Sequence, residues 1–469
     1  MRANVKPSET TYIAVDGVAP MAKLRQQRFR RFRSAALARL EAETIAHAQG
    51  TPYIQEERWD TNAITPGTTF MSKLTTALQN YAKTHTGVVV SSSDVPGEGE
   101  QKLMAYIREK RPASALVYGL DADLIVLSLM TAATHNVPID LYREETEVSG
   151  GVKTGTDGEL KYLYLDLEKL AEALYARYAS PEQSRTMFLC EFAAAVNLLG
   201  NDFVPHSLSV KIRDDGIPIL MDLYSQLAET LLIYSEDGQP VAYNKTGLHE
   251  LLRKWASMEP GLLQKNFSKK LEARSFGGRT PVEAAMNHLN DAPVRWAVET
   301  PLLQTVSFEG KTTHMLKHDW SKYYDALALN GATAEQAVQR WFQAVTWNLA
   351  YYVGSSVSTT AFYPYYNPPR MASIVEWLSK NELPDYEPKG TLTITPIVQL
   401  ASVLPQTSFD LLPPHVKNLP KAHPFAWPTE WGYNSFGRRF FWECEPYIPI
   451  VGVEKVAGWL EDLEEEPVA

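Results

Sequence analysis

The stretch YIAVDGVAPMAKLRQQRFRRFR, Tyr12 to Arg33, decides how the first half of this chain is read. It opens on an apolar run that predicts a buried strand, and the run ends on a carboxylate, Asp16. Gly17 and Pro20 break the strand, and a helical period follows, expected to reach about Ala48. On that helix Lys23, Gln27, Arg30 and Arg31 fall at i, i+4, i+7 and i+8, which is one face. A strand-end aspartate then shares its space with amide and guanidinium donors, a pairing that suits a metal on one side and a bound phosphate on the other. The plain alternative is a solvated basic helix beside a turn aspartate. Composition argues against it: Met21 to Leu40 holds seven Lys or Arg and no acid, in a chain of formal charge -10. Such a local reversal of sign points to a polyanion or an acidic partner surface.

Outward from that stretch, short apolar runs alternate with helical ones. Strands are expected at Gly87–Val90, Ala115–Tyr118 and Pro138–Tyr142. Helices are expected over Thr68–Lys83, Glu100–Arg108, Leu124–Met130, Leu167–Ala179 and Ser184–Leu199, and the glycine-rich segment Ser149–Glu159 reads as a loop. This alternation predicts an α/β fold, a mostly parallel sheet with helices on both faces. A polar stretch near Ser235–Asn244 reads as a linker, dividing the chain into 1–235 and a mainly helical 236–469. In the second part, Leu251–Met258 and Ala334–Val353 carry helical period, the latter opened by a capping box from Thr333 to Gln336. Beyond Gly354 the chain turns rich in aromatics and prolines.

Six carboxylates fall at equivalent places in the α/β part. Asp16, Asp121 and Asp123 follow strands directly; Glu98 and Glu100 follow a strand and enter a helix; Asp202 sits at a Gly-Asn turn that ends a helix. In parallel α/β sheets the carboxyl ends of strands converge on one crevice. Like charges so gathered cannot all stay ionised without cations among them, and hard divalent ions with oxygen ligands are the natural solution. Two such ions make a phosphodiester-cleaving site. The competing reading is a structural charge network, with Asp-x-Asp a common sequence and Glu-x-Glu a complement to a helix dipole.

With 469 residues, 45% of them hydrophobic and 21% charged, the chain is long enough for two or three domains with full cores. Its acidic balance excludes indiscriminate nucleic-acid coating and allows an enzyme with one basic channel. Cys190 and Cys444 have no metal-ligand spacing and read as packing thiols in a reducing compartment. No apolar segment reaches membrane-spanning length and no secretory signal is legible, so no membrane association and an intracellular setting are expected, cytoplasmic rather than nuclear. The acidic residues Glu461 to Glu466 read as a frayed, solvated end.

The stretches AVDGVAPMAKLRQQRFRRFR, ITPGTTFMSKL, VPGEGEQKLMAYIR, VYGLDADLIVL and GNDFVPHSLSVKIRDDGI resemble the Xrn family of 5′→3′ exoribonucleases. So do WNLAYYVGSS, YPYYNPPR and TPIVQLASVLP in the helical part. The resemblance implies a nuclease core of the PIN/flap-nuclease type and processive degradation of single-stranded RNA that bears a 5′-monophosphate. It implies Mg2+, with Mn2+ as the substitute, at Asp16, Glu98, Glu100, Asp121, Asp123 and Asp202. It also implies a 5′-phosphate pocket at Lys23, Gln27, Arg30 and Arg31, and a base stacked on Trp347. Core packing is the bland alternative for that tryptophan.

Some positions depart from the family. Members carry an upstream block with a first strand, a metal-binding aspartate and a histidine that stacks on the 5′ base. The expectation is that another chain supplies this block, that the sequence is truncated, or that the site is incomplete. The last case would leave a catalytically impaired RNA 5′-end-binding protein. Met21 stands where a basic residue is usual, and Glu191 where an aspartate is usual. A flap-type DNA nuclease with the same core is the remaining rival, disfavoured by the helical part.

Overall fold

The structure, a computed structural model, describes residues 5–54, 59–119, 121–146, 152–154, 159–273, 277–384 and 392–465. Its first part alternates strand and helix. In order come β1 (Thr11–Ala14), α1 (Met21–Gln49), α2 (Thr69–Thr84), β2 (Val88–Ser91), α3 (Gly99–Lys110), β3 (Ala115–Tyr118) and α4 (Asp123–His135). Then follow β4 (Ile139–Glu144), β5 (Tyr162–Leu165), α5 (Leu167–Tyr178) and α6 (Arg185–Asn197). The helical part is led by α7 (Lys245–Glu272), α8 (Ala334–Val353), α9 (Met371–Lys380), α10 (Pro396–Val403) and α11 (Val453–Glu465). No described helix is long and apolar enough to cross a membrane.

The expected single, mostly parallel sheet is corrected. Among the described residues the parallel strands form two separate pieces. In one, β1 pairs with β2, Thr11 opposite Val88 and Ala14 opposite Ser91. In the other, β3 pairs with β4 in parallel and β4 with β5 antiparallel. The antiparallel addition follows from two isolated bridges, Thr146 to Val152 and Thr154 to Leu160, which fold the chain back on itself before β5. Residues 149–151 and 155–158 of the expected loop lie outside the described residues.

Local chemistry sets the element ends. Helix α1 stops at Gly50, whose φ of 68° lets its N–H and that of Thr51 close on the carbonyls of His47 and Ala46. Helix α8 carries the full capping box, the Thr333 hydroxyl accepting from the Gln336 N–H and the Gln336 side chain from the Thr333 N–H. The expected linker is instead a hairpin, Leu232–Tyr234 with Pro240–Tyr243, turned at Gly238. Tyr243 is buried there and donates to the Ala194 carbonyl of α6. Another hairpin, Leu303–Phe308 with Lys311–Leu316, adds strand to the helical part. Helix α11 runs through Glu465, so the acidic end expected to fray is helical to that point.

Hydrophobic packing crosses the 235/236 boundary. The largest core joins α4 and α6 to Leu248, Trp255, Trp341, Phe342 and Ile374 of the helical part. A second buries the start of α1, Met21, Leu24, Phe29 and Phe32, against residues 394–460. The first turns of α1 are thereby fixed by both halves, and that is the helix whose polar face meets the acids.

Candidate functional site

Close backbone contact brings the ends of β1 and β2 together. The Gly17 N–H donates to the Gly97 carbonyl at 2.9 Å, and the Gly97 N–H donates to Val18 at 2.8 Å. A Cβ at Gly17 would stand 1.9 Å from the Val95 carbonyl oxygen, so only glycine allows the two loops to touch. Lys102, on the first turn of α3, donates to both Val15 O (2.8 Å) and Ser92 O (2.9 Å), clamping the two strand ends from one helix. The Gly99 N–H, at the start of α3, donates to Asp16 Oδ1 at 2.6 Å. Asp16 and the Glu98/Glu100 pair are therefore neighbours although Asp16 and Glu98 lie 82 positions apart in the sequence.

Glu98 is 3% exposed and held at both oxygens. The Tyr351 hydroxyl on α8 donates to Oε1 at 2.7 Å, and the Lys23 ammonium lies 2.6 Å from Oε2. The same ammonium lies 2.7 Å from Asp202 Oδ2. Asp202 is placed by its neighbour: Asn201 Oδ1 accepts the N–H groups of Phe203 and Val204, and Asn201 Nδ2 donates to Asn348 on α8. Asp121 and Asp123 flank the start of α4.

All six acids share one electrostatic field. Burial, then the charges of Glu98, Asp123 and Asp121, push the Glu100 carboxyl up to about 8, against an opposing pull from Lys23. Burial, then Asp202, Asp121 and Glu98, push Asp123 up to about 6, again opposed by Lys23. Burial also raises Glu98, and Asp16 adds to that rise. Burial pulls Lys23 down, but attraction to Glu98 and Asp202 more than reverses this and holds its ammonium well above the ordinary range.

Among the described residues, no three His, Cys, Asp or Glu side chains stand close enough to hold a metal ion as placed. The donor set nonetheless fits a hard divalent cation. It is all carboxylate oxygen, and burial together with mutual repulsion raises Glu100 and Asp123 above the ordinary carboxylate range, a tension that a cation relieves.

The basic helix divides its cations in a way the one-face reading does not anticipate. Lys23 sits among the acids, paired with Glu98 and Asp202. Gln27 is buried and its Oε1 has no hydrogen-bond partner. Arg30 is exposed, and Arg31 donates to Thr65 Oγ1 at 2.6 Å, which gives the ITPGTTF stretch its structural use. Arg25 and Arg28 turn inward. Arg25 donates to Tyr365 O at 2.8 Å, and Arg28 donates to the carbonyls of Ser402 (2.8 Å), Pro449 (3.2 Å) and Ala426. Part of the local positive charge thus answers to the chain's own carbonyls and not to a polyanion.

Trp347 is 2% exposed, its Nε1 donating to Ser358 O at 2.9 Å and its ring packed on Tyr351 (4.8 Å) and Phe203 (5.3 Å). In this arrangement the indole packs and offers no open face to a base. Phe203, Trp347 and Tyr351 together floor the site, with the Lys23 ammonium 5.7 Å from the Phe203 ring centre. Glu191 does not join the acids: its oxygens accept from the Leu231 and Leu232 N–H groups, the Tyr224 hydroxyl and Gln183. Sequence reasoning missed Lys102, Asn201, Phe203 and Tyr351. The i, i+4 spacing of Trp347 and Tyr351, and the Asn-Asp-Phe run, were the available signals.

Two family descriptions match this chain, "XRN 5'-3' exonuclease N-terminus" over residues 1–145 and "Xrn1 helical domain" over residues 320–466. Curated relatives agree. The 5'-3' exoribonuclease 2 of Eremothecium gossypii is 34% identical over 57% of this chain and 33% of its own length. The 5'-3' exoribonuclease 2 homolog of Caenorhabditis briggsae is 26% identical over 98% of this chain and 62% of its own. Human 5'-3' exoribonuclease 1 is 27% identical over 97% of this chain and 30% of its own. The chain thus spans about a third of the length of the first and the last of these. With five of the six acids and the basic helix under the first match and the Tyr351 helix under the second, the chain belongs to the Xrn family.

Proposed function

We propose that the chain is a metal-dependent 5′→3′ exoribonuclease that hydrolyses 5′-monophosphorylated single-stranded RNA to nucleoside 5′-monophosphates, in RNA turnover. One observation carries the reading: six carboxylates from the loop after β1, the start of α3, the start of α4 and the turn after α6 share a field at the foot of a basic helix. The names of the relatives support the same chemistry.

In this reading, residues 1–235 form a PIN/flap-nuclease-like core, and residues 236–469 complete the RNA channel. Asp16, Glu98, Glu100, Asp121, Asp123 and Asp202 hold Mg2+, for which Mn2+ can substitute. When bound, the metal supplies a water of lowered pKa and countercharge for the leaving oxygen. Tyr351 and Lys23 fix the Glu98 carboxylate from two sides, and Lys102 fixes the strand ends that carry it. Gln27, Arg30 and Arg31 receive the terminal phosphate, which sets the advance to one nucleotide per cycle and leaves no room for a capped or triphosphorylated end. The aromatic floor covers the Glu98 side of the site, where Tyr351 holds that carboxylate.

The test compares one RNA sequence with a 5′-monophosphate or a 5′-hydroxyl. Charge-assisted hydrogen bonds contribute about 1.5–3 kcal/mol each, so the monophosphate should be degraded at least ~10-fold faster at sub-saturating RNA. Equal rates would remove the pocket's role.

A further inference from the structure

We infer that Lys23 is a displaceable internal counter-ion, so that capture of a terminal phosphate and binding of a divalent metal reinforce one another. The inference rests on the metal-site reading above and adds how that site is assembled.

The Lys23 ammonium occupies carboxylate oxygens from two elements at once, Glu98 Oε2 at 2.6 Å and Asp202 Oδ2 at 2.7 Å. A divalent cation taking those same oxygens meets a like charge at contact distance, so ammonium and metal compete for one seat. Glu98 cannot easily move aside, because Tyr351 holds its other oxygen at 2.7 Å and the carboxylate is 3% exposed. Lys23 is the mobile member, a point charge on a four-carbon stem.

The helix also offers the ammonium a second seat. One turn on, Gln27 is 7% exposed and its Oε1 is buried without a hydrogen-bond partner. An unmet buried acceptor is costly, and i, i+4 neighbours on a helix face each other. Arg30 and Arg31 continue that face, so an anion bound beside them draws the ammonium toward Gln27 and away from the acids. Glu98 Oε2 and Asp202 Oδ2 then become free for metal. A 5′-hydroxyl end lacks the charge to pull Lys23 across, and in this scheme it leaves the metal site unassembled. Discrimination against that end would follow from assembly of the site as well as from binding.

The test measures Mn2+ affinity by calorimetry, without added nucleotide, with adenosine, and with adenosine 5′-monophosphate. Coupling between sites commonly reaches 5–150-fold, and Mn2+ should bind about 10-fold tighter with the monophosphate and unchanged with adenosine. By reciprocity Mn2+ should tighten the monophosphate by the same factor. In Lys23→Met, Mn2+ should bind tighter than in the wild type without any nucleotide, and the monophosphate should no longer shift it. A wild-type Mn2+ affinity unaffected by the monophosphate, yet weakened by Asp123→Asn, overturns the switch and leaves the metal site standing; that arm needs no Lys23 variant to fold. Coupling that persists in Lys23→Met also overturns it, since the phosphate then contacts the metal directly. Mn2+ binding insensitive to Asp123→Asn removes the metal site and this inference together.

Discussion

In the Asp121→Ala variant, degradation of 5′-monophosphorylated RNA should fall by at least about 10²-fold, the scale on which one electrostatic stabiliser of a transition state counts. Asp121 is exposed and follows β3, where its charge raises both Glu100 and Asp123. Its removal disturbs no packing, so stability should move by no more than about 0.5 kcal/mol. RNA binding measured without divalent metal should persist, because the cations assigned to the RNA lie on α1 and not beside β3. Rates and gel-shift affinities measured on one preparation separate the effects. Retained cleavage would contradict the metal assignment, and joint loss of binding would recast Asp121 as a substrate-positioning group.

The second large effect is on stability and comes from Arg28. Its guanidinium donates to carbonyls of residues 402, 426 and 449, and burial pushes its pKa down to about 9, which still leaves it charged at neutral pH. In Arg28→Ala these carbonyls stay buried without a donor. At about 1–3 kcal/mol for each unsatisfied group, less what water and relaxation recover, the loss should be on the order of 3 kcal/mol. Urea unfolding followed by tryptophan fluorescence measures it. Arg30→Ala, two residues along and exposed, should leave the midpoint unchanged and weaken RNA binding. If the two variants behave alike, the division of the helix into struts and ligands is wrong.

That division shows where sequence reading stops. The helical wheel put Lys23, Gln27, Arg30 and Arg31 on one side of α1, because spacing alone fixes a face, but it said nothing of what each one meets there. It did not distinguish a cation facing an anion from one facing a carbonyl, since the acceptors for Arg25 and Arg28 lie some 340 to 421 residues further along. Strands β1 to β3 were legible from β-branched or apolar runs closed by Asp, Ser or Gly, and β4 from the run Pro138–Tyr142. Strand β5 was not, because four residues, two of them tyrosines, follow bridges that no local pattern announces. The hairpin at 303–316 was missed because its strands are largely polar and its turn signal, Glu309-Gly310, is short. The acids were legible because each follows a strand or caps a helix. The burial of Trp347 was not, because an aromatic at i, i+4 from another serves a core and a stacking platform equally well.

Product release from 5′-labelled, 5′-monophosphorylated single-stranded RNA, run with Mg2+ and with excess EDTA, tests the central claim most directly. Labelled nucleoside 5′-monophosphate should be the first product with Mg2+, should vanish on chelation, and should return when Mg2+ is restored. Cleavage that proceeds equally in EDTA, or that yields internal fragments before mononucleotide, would contradict the account.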